Sequence, residues 1–541
     1  MLRQAYDYII IGAGSAGSVM ADRLSASGEH SVLLLEAGGR DRNIWIHIPL
    51  GYGRTFFNRT VNWMFETEAQ PGLDGRRIAQ PRGKGLGGSS SINGLLYVRG
   101  QREDYDGWRD LGNRGWGYND VLSMFKRSED QQRGSGPWHG AGGPLPVTDL
   151  PEKHPIAEAF IAAGVKVGIP HNPDFNGERQ EGIGPFQATA KRGLRYSTAK
   201  AFLRRALKRP NIDLVMHAQV TRILFDGMRA AGVAFFHEGR EVRISANREI
   251  LLSAGAIQSP QILQLSGVGP EQLLRKFDIP VVKALPGVGE NLQDHIQARF
   301  IFETKKKITL NDDMANPLRQ LRMGLNYILM RKGPLGWWAG LAGAFIRSRD
   351  DLDRPDVQFH LYPFSTDRKD RPALHPYSAF TVTVLQLRPY SRGHVRIKSS
   401  DPLVAPAISP NYLSDPRDAE VLAAGMKIVR KVVAAEPLAS MIKGEKEPGP
   451  ATQSDEELIN FLRAKALSVY HPVGTCRMGR DENAVVDDQL RVHGVAGLRV
   501  VDASIMPTLI SGNTNAPSIM IGEMGAELVL RAATLRNSEA T

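Results

Sequence analysis

Cysteine is almost absent: Cys476 is the only one in the chain. One thiol cannot form an intrachain disulfide, so burial alone has to hold the fold. No Cys/His/Asp/Glu set has metal-ligand spacing, so no metal is expected. Cys476 itself reads as a small buried residue. Long hydrophobic runs are missing as well. One uncharged, largely apolar stretch is 333–346, fourteen residues with five glycines or prolines. A membrane-spanning helix needs about 20, so this stretch reads as a pocket wall or a segment that touches a membrane surface. The first five residues carry a charge and the first apolar run leads straight into a glycine turn, so neither a signal peptide nor a transmembrane helix is expected. Aromatics make up 7% and are not interleaved with a basic stripe, although the net charge is +11. Nucleic acid is therefore not an expected partner. The scattered basic surface leaves room for peripheral contact with anionic lipid. The expected location is cytoplasmic, with contact to the inner face of the membrane as an option. No G-x-S-x-G elbow on a strand–helix turn offers a serine nucleophile.

Glycine is plentiful, at 55 residues, and its arrangement near the N-terminus is informative. Tyr8 to Ile11 is a short apolar run that reads as a buried parallel strand. Gly12-Ala13-Gly14-Ser15-Ala16-Gly17 follows, and Ser15 to Leu24 reads as a helix. Gly12 permits the turn, Gly14 lets a diphosphate approach the backbone, and Gly17 lets the helix pack on the strand. The N–H groups and dipole of the helix N-terminus attract that anion. A second apolar run ends at Glu36, nineteen residues past Gly17, where a dinucleotide fold places a carboxylate on a ribose. Gly83 to Gly88 fits the same G-x-G-x-x-G pattern but follows Gln80-Pro81-Arg82, which is no strand, so it is not a second such turn.

Further on, Arg82 to Gly94 is a run of small residues with free N–H groups, suited to close approach of a flat or anionic ligand. Trp108, Trp116 and Tyr118 read as core. Ser197 to Leu207 reads as a basic helix. Strands are expected at 212–215, 219–225, 231–236 and 249–253, with a helix opening at Ser259-Pro260. From about Arg299 the runs 300–302, 357–361, 380–387 and 394–397 suggest an antiparallel sheet with helices on one side. The expected division is 1–154, 205–297 and 463–541 for a nucleotide-binding domain, and 155–204 with 298–462 for a substrate domain. The fold class is α/β, α+β overall. Late in the chain, His471 lies in Ser468 to Gly479, and Leu498 to Val501 is a buried strand ending at Asp502. Asn513 to Asn515 can cap the helix that follows, with Pro517 in its first turn. An imidazole of near-neutral pKa beside an amide suits removal of a hydroxyl proton as hydride leaves carbon.

These segments together resemble the glucose–methanol–choline (GMC) family of FAD-dependent oxidoreductases over nearly the whole chain. The carriers are the N-terminal glycine turn, Arg82 to Asn93, Gly255 to Gly269, His471-Pro-Val-Gly-Thr475 and Asn513-Thr-Asn-Ala-Pro517. The resemblance implies a Rossmann-type FAD-binding domain with a discontinuous substrate domain on an antiparallel sheet flanked by helices. It implies His471 as catalytic base, Asn515 as second catalytic residue, and hydride passing to flavin N5. It also implies FAD contacts from Gly12, Gly14, Ser15, Ala16, Gly17, Glu36, Ala37, Arg82, Gly87, Gly88, Ser89, Asn93, Gly94, Leu95, Val220, Ala254, Asp502, Ala503, Asn515 and Pro517. Ile92 stands where some members carry the histidine that links FAD covalently, so non-covalent FAD is expected. Tyr470, Trp337, Trp338, Tyr362 and Phe364 are candidates for the substrate pocket. The expected reaction is oxidation of a primary alcohol, with electrons passed to a quinone or other carrier. Alternatives are an oxygen-using aryl or furanic alcohol oxidase, a choline dehydrogenase, and a flavin-containing lyase without redox turnover. The run Val473-Gly-Thr-Cys476 is closer to the general alcohol dehydrogenases than to choline dehydrogenases.

Overall fold

The computed structural model describes residues 2–367 and 373–539. Its first sheet is built on the strand Ala5–Ile11, which pairs in parallel with Val32–Glu36 on one side and Arg240–Leu252 on the other. Ile212–Met216 extends the sheet beyond Val32–Glu36. The thirteen-residue strand Arg240–Leu252 serves two arrangements. Its N-terminal half joins an antiparallel meander with Arg229–His237 and Gln219–Asp226. Its C-terminal end pairs in parallel with Leu498–Val500. Val32–Glu36 is buried at every position, as a strand covered on both faces must be, hence the unbroken apolar run.

The glycine turn works as its spacing predicts. Gly12 has φ +102°, and a Cβ there would lie 2.6 Å from the Ser253 carbonyl oxygen. A Cβ on Gly17 would collide with the Gly12 carbonyl, so helix Ser15–Leu24 can sit against the strand only without one. Gly14 faces open space.

The second sheet runs in the order Ile442–Glu447, Ile296–Thr304, Ala379–Gln386, Val357–Tyr362, Ala342–Ile346, Gly182–Pro185, all antiparallel. Leu467–Ser468 also pairs with Ile296–Thr304. The period-2 alternation of these strands sorts the residues by face. Phe300, Phe302, Val357, Phe359, Leu361, Phe380, Val382 and Val384 join one apolar cluster. Helix Pro416–Val433 covers it so closely that a Cβ on Gly425 would come within 2.6 Å of Val384 Cγ1. The alternate residues Gln297, Arg299, His360, Tyr362, Thr381 and Thr383 point the other way and line a cavity shared with the carboxyl end of the first sheet.

Three local expectations are corrected. The run 394–397 is not part of the second sheet: His394–Arg396 forms a separate ribbon with Ala407–Ser409. The basic stretch 197–207 is a π-helical turn, Ala199–Leu203, followed by the single turn Arg204–Ala206. The helix expected to open at Ser259-Pro260 begins four residues earlier and spans Gly255–Leu265, with Pro260 inside it. Proline has no N–H for the Ala256 carbonyl one turn back. The Thr475 hydroxyl donates to that carbonyl instead, at 2.6 Å. Thr475→Val is expected to leave the buried carbonyl without this donor and cost about 1–3 kcal/mol. Urea unfolding at neutral pH reads this directly; an unchanged midpoint would show that the bond contributes nothing net.

Candidate active site

The cavity between the two sheets has a volume of about 1000 Å³, the upper end of the roughly 300–1,000 Å³ usual for ligand and cofactor sites. One end is lined by Gly12, Gly14, Ser15, Ala16, Glu36, Ala37, Val220 and Ala254. Next come Arg82, Gly88, Ser89, Asn93, Gly94 and Leu95, then Asp502, Ala503 and Asn515. Of the residues expected to contact the cofactor, Gly17, Gly87 and Pro517 do not line the cavity. Gly17 serves helix–strand packing. Gly87, at φ +85°, shapes the loop that presses Gly88 onto Gly14. Pro517 sits in the first turn of helix Asn515–Glu539.

Two carboxylates stiffen this end. Glu36 accepts from the Ala13 N–H at 3.0 Å, the Gly38 N–H at 2.8 Å and the Gly85 N–H at 2.9 Å. It thus ties both glycine-rich segments to the end of its own strand. Asp502 accepts from the Gly255 N–H at 2.8 Å, the Ser259 hydroxyl at 2.6 Å and the Ser504 N–H at 2.8 Å. The open face of Gly14, the adjoining helix N-terminus and this flat lining of small residues leave a cradle that a dinucleotide fits.

At the junction with the second sheet stands His471, 8% exposed. Its N–H donates to Asp294 Oδ1 at 2.7 Å. Asp294 Oδ2 accepts from Ser468 Oγ at 2.6 Å, from Gln80 Nε2 at 3.2 Å and from the Tyr412 hydroxyl. The imidazole is oriented by a chain of contacts whose direction can be worked out. The Leu387 carbonyl, 2.9 Å from His295 Nε2, can only accept, so His295 Nε2 carries the hydrogen. Burial lowers the His295 pKa to about 4, so its Nδ1 is bare. His471 Nδ1, 3.0 Å away, must therefore donate. Burial, reinforced by His295, His360 and Arg82, holds the His471 pKa well below 6.5. His471 is thus neutral, and its Nε2 is a bare lone pair.

The amide that meets this Nε2 is Asn513, whose Nδ2 lies 3.2 Å away. The sequence reading expected Asn515 in that place. Asn515 lines the cavity but opens the helix, and its Oδ1 accepts from Ser15 Oγ at 2.7 Å. Asn513 and Asn515 flank one residue in the same run, and the pattern alone does not choose between them. Among the pocket candidates, Tyr470, Tyr362 and Phe364 line the cavity. Trp337 and Trp338 do not: Trp337 packs edge-on against His154, and Trp338 is buried with Leu95, Leu96 and Phe186. Residues the sequence reading missed are Asn513, Asp294, His295, His360 and Arg299. His360 and Arg299 sit at alternate positions of strands whose cavity face was not assigned. Cys476 is fully buried, and burial pushes its thiol pKa up.

The chain matches the GMC oxidoreductase family over residues 6–297 and 389–522. It is 43% identical to alcohol dehydrogenase (acceptor) of Pseudomonas putida, over 99% of this chain and 98% of that protein. It is 44% identical to oxygen-dependent choline dehydrogenase of Vibrio vulnificus, over 99% and 96%. Among solved structures, pyridoxine 4-oxidase from Mesorbium loti superposes with TM-score 0.88 at 31% identity, covering 96% of this chain and 98% of that one. The chain belongs to the GMC oxidoreductases, a family that depends on FAD.

The buried imidazoles couple stability to pH. In the unfolded chain they take a proton as pH falls through about 6.5. In the fold His295 does so near about 4 and His360 near about 3, both because of burial. The unfolded state therefore binds more protons between those values, and stability falls as pH drops through that window. The thermal midpoint is expected to decline steadily from about pH 6.5 to about pH 4; a flat profile would show that these rings are charged in the fold.

Proposed function

We propose that the protein is an FAD-dependent dehydrogenase of uncharged, apolar primary alcohols, with His471 as base and Asn513 holding the substrate oxygen. The observation that carries this reading is the bare Nε2 of a neutral His471, set beside the Asn513 amide at the boundary between the dinucleotide cradle and the rest of the cavity. Bound FAD supplies the hydride acceptor. The chain's own residues do the rest. Nε2 takes the hydroxyl proton. The Asn513 amide donates to the oxygen and does not compete for that proton. The Asp294 bond to the His471 N–H and the His295 contact fix where Nε2 points.

The charge layout supports an uncharged substrate. Among the described residues lining the cavity, the only carboxylates are Glu36 and Asp502, both at the dinucleotide end. The far end carries Arg299 with Tyr362, Phe364, Leu374, Met314 and Met323. Among the described residues that end carries no carboxylate, and its methionine, leucine and aromatic side chains suit an uncharged tail, which favours an uncharged alcohol over choline even though choline dehydrogenases are among the relatives. The side chain at Ile92 lines the cavity and has no atom to bond a flavin ring, which supports non-covalent FAD. Electrons then pass to a quinone or another acceptor.

The test is anaerobic flavin absorbance with an alkanol, benzyl alcohol, a furanic alcohol and choline, followed by air. Uncharged alcohols should bleach the flavin and choline should do so poorly. Bleaching by choline alone overturns the substrate class, and bleaching by no alcohol points to a lyase. Rapid recolouring in air with peroxide would make the enzyme an oxidase. His471→Ala should lower turnover by about 10²–10⁴-fold with FAD retained. Asn513→Ala should lower kcat far more than Asn515→Ala; the reverse order would restore Asn515 as the oxygen-holding amide. Denatured protein should release its flavin, and colour that stays with the chain would sink the non-covalent assignment.

A further inference from the structure

Helix Pro317–Met330 buries only Tyr327. Its outward side is apolar: Leu318, Leu321, Ile328 and Leu329 are between 62% and 78% exposed, and Leu325 is 49% exposed. The spacing 318, 321, 325, 328, 329 places all five on one helical stripe. An apolar stripe of this kind is costly in water and marks a contact surface. Arg322 falls beside the stripe, and Arg319 lies farther round the same flank. Arg331 and Lys332 follow at the C-terminal end, and no acid occurs from Pro317 to Lys332. Arg319 has a long contact, 3.7 Å, to Asp313 outside the helix. The opposite side of the helix is part of the cavity wall through Gln320, Met323 and Gly324.

We infer that this helix seats the protein on an anionic lipid surface, with the leucine stripe in the headgroup–acyl boundary and the arginines against the phosphates. Three observations favour that occupant. An apolar stripe flanked by arginine and lacking acid is the pattern of a helix lying in a membrane interface. The protein as a whole carries a net charge of +11, which draws it to an anionic surface. A second copy would instead bring the same basic flank to the contact, where like charges oppose. Among the described residues no helix is long and apolar enough to cross a membrane, so the contact is with the surface. The helix then stands between lipid and cavity.

Flotation tests this without relying on turnover, so its outcome is separate from that of the alcohol reading. Holoenzyme is mixed at low salt with vesicles of phosphatidylethanolamine and phosphatidylglycerol, or of phosphatidylcholine alone, and run on a sucrose gradient. It should float with the anionic vesicles and stay behind with the neutral ones. The double variant Leu321→Glu/Leu329→Glu should lose about tenfold in floated protein. Arg319→Glu/Arg322→Glu should lose a comparable amount and should do so through charge. The bound-flavin spectrum of both should match the wild type. Wild-type protein left at the bottom with anionic vesicles overturns the inference, as does either double variant floating like the wild type. So does a wild-type dimer that Leu321→Glu/Leu329→Glu converts to monomer with no lipid bound, because the stripe would then seat a second copy.

Discussion

The contact between the Leu387 carbonyl and His295 Nε2 decides the chemistry of the site. A carbonyl oxygen cannot donate, and this one fact propagates through two rings. It places the hydrogen on His295 Nε2, leaves His295 Nδ1 to accept, and obliges His471 to carry its hydrogen on Nδ1. The result is a lone pair on His471 Nε2. Burial keeps both rings neutral, so the assignment does not shift near neutral pH. The backbone does the complementary work. Asp294 holds the His471 N–H, and is itself held by Ser468 of the same segment and by Gln80 and Tyr412 from two other parts of the chain. An imidazole positioned from both its ring and its backbone has little freedom to leave its place.

The two sheets make this possible by contributing different kinds of surface. The parallel strands end at the cavity and deliver turns: Gly12 to Gly17, the Glu36 carboxylate and the Asp502 carboxylate. Such strand ends are where α/β folds bind ligands. The antiparallel strands run past the cavity and deliver a face. Because successive residues alternate, a strand that packs Val357, Phe359 and Leu361 into its own core must turn Gln358, His360 and Tyr362 the other way. The polar character of that wall follows from the register of the apolar residues.

What could be read in the sequence divides along the same line. The glycine turn was legible because its constraints are local: Gly12 needs its positive φ, and Gly17 has no room for a Cβ. The buried strands were legible from their unbroken apolar runs. Neighbours in space but not in sequence were less so. Asn513 and Asn515 are both amides in one turn, and only the helix start and the Ser15 bond to Asn515 separate them. Trp337 and Trp338 looked like pocket residues by composition, but one packs edge-on against His154 and the other fills a core. The helix expected at Pro260 starts earlier because Thr475, more than two hundred residues away, supplies the donor that proline lacks. No local pattern carries that information.

The distribution of charge in the cavity bears on which of the family's reactions this wall suits. Relatives of nearly equal identity bear names that refer to a neutral alcohol class and to a cationic one. Overall identity therefore does not discriminate, and local charge has to. A cation bound away from water needs a carboxylate or an aromatic box to replace its hydration. Among the described residues, the carboxylates that line this cavity are already committed, Glu36 to three N–H groups and Asp502 to two N–H groups and a hydroxyl. Both lie on the side where the dinucleotide cradle is. On the other side Arg299 projects from the sheet among methionine, leucine and aromatic side chains. An apolar tail gains from that lining by burial, and a hydroxyl at its end reaches the one place where a bare imidazole nitrogen and an amide hydrogen stand together. The same wall continues outward into a helix with a leucine stripe on its far side. Apolar side chains thus stand on both sides of that helix, Met323 toward the cavity and the leucines outward.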